Sequence, residues 1–239
     1  GSHDQGFSMN MRNEDFHRLP ALNVRFNDVV ELDLQHFHLI ERETLNGYIE
    51  RFPNLRVLNL QDTDLRLLSL DGQMESVLPP VIPQLQHLTS LNLQSTQLTF
   101  SENTAGQLSQ LVNLQSLDLS DNPLGIPPIV LGMNQLRTLN LSNTRITSCP
   151  IGIGDQPYLT SLDLSENQIR RVPQAVLNQA IAPDRVLPAL DASEQQMLLP
   201  VGAIPELLIA GAGPPLREGA GQTRGGSEEI LSCRLAADA

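Results

Sequence analysis

Residues 114–124 read Leu114-Gln115-Ser116-Leu117-Asp118-Leu119-Ser120-Asp121-Asn122-Pro123-Leu124. Leucine takes the first, fourth, sixth and eleventh places, and asparagine the ninth. The Leu117-x-Leu119 step has the two-residue period of a strand, because alternate side chains of an extended chain leave on opposite faces. The asparagine falls where that strand has to end, and its amide can bond turn backbone that lacks a ladder partner. The frame returns at Leu55-Leu58-Leu60-Thr63-Leu65, Leu88-Leu91-Leu93-Thr96-Leu98, Leu136-Leu139-Leu141-Thr144-Ile146 and Leu159-Leu162-Leu164-Asn167-Ile169. A degenerate first copy is Val29-Leu32-Leu34-Phe37-Leu39. Successive copies start 26, 33, 26, 22 and 23 residues apart. Amphipathic helices would repeat every 3.6 residues or so and would not hold a turn residue at a constant offset, so the leucines belong to strands.

Six such units exceed the three or so that bury a continuous core. The pattern therefore specifies a leucine-rich-repeat solenoid, an α/β repeat fold. Short strands stack into a curved parallel sheet on the concave face, while short helices, 3₁₀ turns and loops return along the convex face. Residues Glu43 to Arg51 and Gln174 to Gln179 hold enough helix formers for about one to three turns. The shorter middle repeats have room only for extended or 3₁₀ backbone. Proline follows the turn at Ile126-Pro127-Pro128, Cys149-Pro150 and Val172-Pro173, where it ends the strand side.

Of the 239 residues 40% are hydrophobic, yet there is no Trp and there are two Tyr and six Phe, so the core is aliphatic. Lys plus Arg is 15 against 27 Asp plus Glu, a formal charge of -12 that opposes a phosphate backbone and argues against nucleic acid as a partner. The longest apolar stretches, such as Leu198 to Ala212, are short and broken by Pro or Gly, so no membrane insertion is expected and the chain reads as soluble. Cys149 and Cys233 are too few for a disulfide framework, which suits a reducing compartment. Four parts follow. Residues 1–9 open on Gly1-Ser2-His3 and resemble a tag remnant, and 10–28 form an N-terminal cap and lead-in. Residues 29–187 are the repeat domain, and 188–239 an Ala/Gly/Pro-rich tail for which linker, cap and foreign sequence all stay open.

Between the two strand leucines stand Asp33, Asn59, Asn92, Asp118, Asn140 and Asp163, a column of acids and amides on the exposed sheet. Two residues earlier run Glu31, Val57, Ser90, Ser116, Thr138 and Ser161. One reading is a hydrogen-bonding trough with negative bias, suited to a protein partner with a basic or polar segment. The other is an ordinary solvated strand face, which carries small polar residues in any protein. Binding anchors are usually Trp, Tyr or Arg, and the middle of the trough has almost none. Anchors are therefore expected in the first two repeats, where His36, Phe37, His38, Arg56 and Asp62 break the pattern. A second candidate is the long repeat, whose extra residues Arg66 to Val77 form a surface loop.

No catalytic constellation stands out. His36-x-His38 has no third ligand at metal spacing, and the many Ser and Thr lack a partnered His and Asp. The stretches Gly211-Ala212-Gly213 and Gly219-Ala220-Gly221 do not join a strand to a helix as phosphate loops do. The expectation is a protein that is not an enzyme, with no metal and no cofactor. Asn140-Leu141-Ser142 is a glycosylation sequon placed on a strand.

Three stretches carry a family resemblance: Phe52-Pro53-Asn54-Leu55-Arg56-Val57-Leu58-Asn59-Leu60, Leu117-Asp118-Leu119-Ser120-Asp121-Asn122-Pro123-Leu124-Gly125 and Leu162-Asp163-Leu164-Ser165-Glu166-Asn167-Gln168-Ile169. With the lead-in Leu19 to Val30 and the insertion Thr99 to Leu111, residues 18–187 resemble the repeat region of bacterial effectors that end in a novel E3 ligase (NEL) domain. In that family the repeats recognise the host substrate and restrain the ligase domain, and a cysteine in a C-x-D motif carries ubiquitin as a thioester. The late cysteine here stands in Cys233-Arg234-Leu235 without the Asp, so no catalytic residue carries over. The resemblance implies the substrate-recognition part of a virulence effector secreted into a host cell, its ubiquitin ligase domain lying outside this chain. The alternative reading is a free-standing cytoplasmic adaptor or inhibitor with no enzyme attached.

Overall fold

The computed structural model describes residues 6–11, 15–16 and 18–169, together with the strand segments Ala189–Leu190, Gln196–Pro200, Glu228–Leu231 and Leu235–Ala236. Its strands up to residue 169 are β1 (Phe7–Asn10), β2 (Asp15–Phe16), β3 (Val29–Asp33), β4 (His38–Leu39), β5 (Val57–Asn59) and β6 (Arg66–Leu68). They continue as β7 (Met74–Ser76), β8 (Ser90–Asn92), β9 (Ser116–Asp118), β10 (Thr138–Asn140), β11 (Ser161–Asp163) and β12 (Gln168–Ile169). Each of the six copies of the repeat frame contributes one strand, and β1 adds a seventh, to a parallel sheet in the order β1-β3-β5-β8-β9-β10-β11. Leu235–Ala236 and Ala189–Leu190 extend it antiparallel.

Register is what converts a repeated sequence into a core. Leu32, Leu58, Leu91, Leu117, Leu139 and Leu162 stand opposite one another across successive strands. The leucines two residues on, Leu34, Leu60, Leu93, Leu119, Leu141 and Leu164, form a second row, and no member of either row is more than 2% exposed. Such stacking removes nearly all of each side chain from water, about 1.5–3 kcal/mol per leucine. A one-residue slip would turn both rows to solvent, so burial pins the register.

Phe7 to Met9 of the edge strand β1 come from the stretch expected to be a tag remnant; the strand pairs in parallel with β3, Ser8 to Asn10 opposite Glu31 to Asp33. On the convex side α1 (Thr44–Ile49) forms within the stretch expected to be helical and buries Leu45, Tyr48 and Ile49, so packing rather than propensity holds it. Beside it lies the main aromatic cluster, with Phe52 5.4 Å from Phe26 and 5.2 Å from Tyr48 between ring centroids. Later repeats return through 3₁₀ turns at Ile82–Gln84, Gln107–Gln110 and Ile153–Asp155, including the longest repeat, so repeat length alone does not select the return conformation. The helix expected at Gln174 to Gln179, both glycine-rich stretches and Cys233 lie outside the described residues.

Two local features depart from the expectations. The insertion Arg66 to Val77 is not an irregular loop but an antiparallel hairpin, β6 against β7, turned through Gly72 at φ 82°. In addition, six residues at the same place in successive turns, His36, Asp62, Ser95, Asp121, Asn143 and Glu166, have φ between 52° and 60°. Left-handed backbone reverses the chain after each strand, and Asn and Asp tolerate it best among non-glycine residues.

Candidate functional site

The Asp and Asn column lies on the concave sheet, half-buried in every repeat. Its side-chain oxygens are engaged in closing the turns. Asp33, Asn59, Asn92, Asp118, Asn140 and Asp163 each accept the backbone N–H two residues on, at 2.9–3.0 Å. Any short side chain with an oxygen at that reach can do this, which explains why Asp and Asn alternate freely. In the first repeats the amides also link neighbours: Asn59 donates to Gln35 and Asn92 to Gln61, each at 3.2 Å. In the later ones Asp118 and Asp163 instead accept the buried hydroxyls of Ser120 (2.6 Å) and Ser165 (2.5 Å). The column is thus both a structural device and the floor of an acidic face.

Beneath it, Asn122 and Asn167 stitch adjacent repeats. The Asn122 carbonyl oxygen accepts the backbone N–H groups of Thr96 (2.9 Å) and Leu98 (3.0 Å), while its amide faces the carbonyls of Leu93, Leu119 and Ser120. Asn167 repeats the arrangement on Thr144, Ile146, Leu141, Leu164 and Ser165. Thr63, Thr96 and Thr144 satisfy fewer groups, as expected from a single hydroxyl; Thr63, for instance, donates to Leu34 at 2.9 Å.

The polar residues singled out in the first two repeats separate. His36 and Asp62 meet: His36 Nδ1 contacts the Asp62 carboxylate between adjacent left-handed turns, both side chains being 38% exposed. Arg56 stands at the opposite rim, immediately before β5, where its carbonyl accepts the backbone N–H groups of Thr89 and Ser90. His38 was expected on the concave face, and the structure corrects this. It belongs to β4, which pairs with β2 apart from the concave sheet, because the chain has already passed the turn and begun its descent.

There His38 lines a groove of about 710 Å³ between the first return segment and the hairpin. Asp64 sits in it, receiving Arg66 Nη2 at 2.8 Å and Nε at 3.1 Å, with Arg42 at 3.2 Å. Burial raises the Asp64 carboxyl, but hydrogen bonds from Arg66 and the charges of Arg42 and Arg66 together outweigh it and hold the group below its ordinary value. Exposed Ile40, Leu68 and Met74 flank the groove. The left-handed column and this groove had no signal in the leucine frame. The former was recognisable only as Asp, Asn and Ser recurring before the ninth position.

Elsewhere, burial pushes the Cys149 thiol up to about 12, which leaves little thiolate. Among the described residues no group of three or more His, Cys, Asp or Glu could hold a metal ion, and no helix is long and apolar enough to cross a membrane.

Family comparison agrees with the geometry. A model described as Leucine Rich Repeat matches residues 113–133 and 135–155, and another described as Leucine Rich repeat matches residues 155–170. No curated protein matches the chain. Detected repeats, seven parallel strands stacked in register and few helices together identify a leucine-rich-repeat solenoid, a fold that serves as a protein-interaction module.

Proposed function

We propose that the concave face holds a basic or polar segment of a protein partner, with the His36 and Asp62 pair at one rim and Arg56 at the other. The observation behind this reading is the in-register column itself: Asp33, Asn59, Asn92, Asp118, Asn140 and Asp163 repeat on neighbouring strands, about 4.8 Å apart. A partner segment laid across the strands meets a polar side chain at each step. Glu31, Asp62, Asp121 and Glu166 add negative charge along the same face and its rim, which would steer a cationic segment and give its binding a salt dependence.

The module further serves, in our reading, as the substrate-recognition part of a bacterial effector secreted into a host cell, its partner a host protein and its ubiquitin ligase domain outside this chain. The motifs spanning residues 18–187 support this reading. The open reading frame tests it: a downstream domain with a Cys-x-Asp motif is expected, and a stop soon after residue 187 would overturn it.

The concave site is tested by capturing a partner from host lysate and comparing two double variants, both verified as folded by circular dichroism. His36→Ala with Arg56→Ala should weaken binding roughly thirtyfold or more, and Ser90→Ala with Ser116→Ala only a few-fold, since anchors cost about 2 kcal/mol and small residues well under 1. Equal affinities would move the site to the hairpin groove.

A further inference from the structure

All fifteen cationic side chains of this chain are arginine; it contains no lysine. Lysine is among the commonest residues of soluble proteins, and an even choice at fifteen positions would exclude it only on the order of once in 10⁴–10⁵ chains. The structure separates places that require arginine from places that do not. Arg66 holds Asp64 through two guanidinium nitrogens, and Arg42 reaches both the Asp64 carboxylate and the Arg66 carbonyl, a geometry lysine cannot reproduce. Arg25, Arg137 and Arg145 are exposed, and their side chains make no hydrogen bond or ion pair among the described residues. At such solvated positions a lysine would serve equally well, so packing does not explain its exclusion.

The chemistry that distinguishes the two residues is acyl transfer. A lysine amine that sheds its proton attacks the carbonyl carbon of a ubiquitin thioester; the new C–N bond forms, the C–S bond breaks, and the departing thiolate takes up a proton. The arginine guanidinium stays protonated in proteins and its lone pairs are delocalised, so it does not attack. Among the described residues the other nucleophiles are weaker: exposed hydroxyls such as Ser101 have no activating base, and others are withdrawn from solvent. Cys149 is buried with its thiol raised, and the hydroxyls of Ser120 and Ser165 are buried and donate to Asp118 and Asp163.

We propose that this module is built to stand beside ubiquitin transfer without accepting ubiquitin, so that a partner bound on its concave face is modified and the module is not. The inference rests on the ligase reading above and concerns regulation of the same surface.

The test compares the chain with an Arg25→Lys, Arg137→Lys, Arg145→Lys variant, both acetylated at the α-amine. Each is incubated with a conjugating enzyme charged with ubiquitin that discharges onto free lysine, and separately in a eukaryotic cell extract with ATP and tagged ubiquitin. The expected result is a parent chain that stays unmodified and a variant that gains ubiquitin at the new lysines, at least tenfold more by mass spectrometry. Parent chain modified to the same extent through hydroxyls, or a variant as inert as the parent in both mixtures, would overturn the proposal. Neither mixture uses a ligase domain of the protein's own, so failure of the ligase reading is seen in the reading frame and not confused with failure here.

Discussion

The repeats spanning residues 113–170 and those spanning 29–77 follow one leucine frame but are closed by different means. In the later set Asn122 and Asn167 each satisfy several buried backbone groups of two neighbouring turns. In the earlier set Phe37 and Thr63 hold the ninth place, and closure is shared among an aromatic cluster, the His36 and Asp62 contact and the Arg42, Asp64 and Arg66 cluster. The matches to the two repeat family models fall in the later set. Where one buried amide does the stitching, the outer positions stay small and regular. Where several weaker contacts share it, space opens for an inserted hairpin and exposed aliphatic side chains. Regularity here accompanies closure by a shared buried amide, and irregularity accompanies exposed apolar and charged surface.

The comparison can be broken most forcefully at the row both sets share. Leu119→Asp places an unpartnered charge in the 0%-exposed inner row and should cost about 5 kcal/mol or more, enough to abolish the fold. A cooperative melt by circular dichroism close to the parent's would contradict the stacked core. Next, Asn122→Ala leaves several buried backbone groups unsatisfied and should cost about 3–5 kcal/mol in urea unfolding, whereas Thr63→Ala should cost about 1. Equal losses would erase the distinction between the two sets.

A smaller effect tests the turns. Gln97 is exposed at φ 61°, and Gln97→Gly should relieve its left-handed backbone and raise stability by about 0.5 kcal/mol, the gain offset in part by a freer unfolded chain. A loss of stability in thermal melts would show that the side chain matters more than the backbone.

The mildest test is acid. Because Asp64 titrates below its ordinary value in the folded chain, its contribution is complete above the unfolded value and is lost as pH falls through the lower folded one. Amide exchange in the hairpin β6–β7 should therefore be unaffected by this group from pH 8 to about 5 and should rise only in stronger acid, beyond what intrinsic exchange chemistry gives. In Asp64→Asn that extra rise should vanish. A hairpin that loosens identically in both would assign its order to backbone pairing alone.

Much of this architecture is written in single residues. The spacing of Leu117, Leu119 and Asn122 determines strand, inward face and turn, because a period of two admits only one buried side and a buried amide must sit beside the backbone it satisfies. Five further copies then determine a solenoid, and the Asp and Asn column follows from the same alternation. Other features are decided only by what lies next to what. Whether Arg66 to Val77 becomes a loop or a hairpin depends on cross-strand pairing with residues that the repeat frame does not govern. Likewise His36 meets Asp62, although 26 positions away, because one full repeat brings the chain back beside itself. His38, two residues further, is carried off the concave face by the turn between them. Local periodicity sets which way a side chain points; only stacking of successive repeats sets which side chains meet.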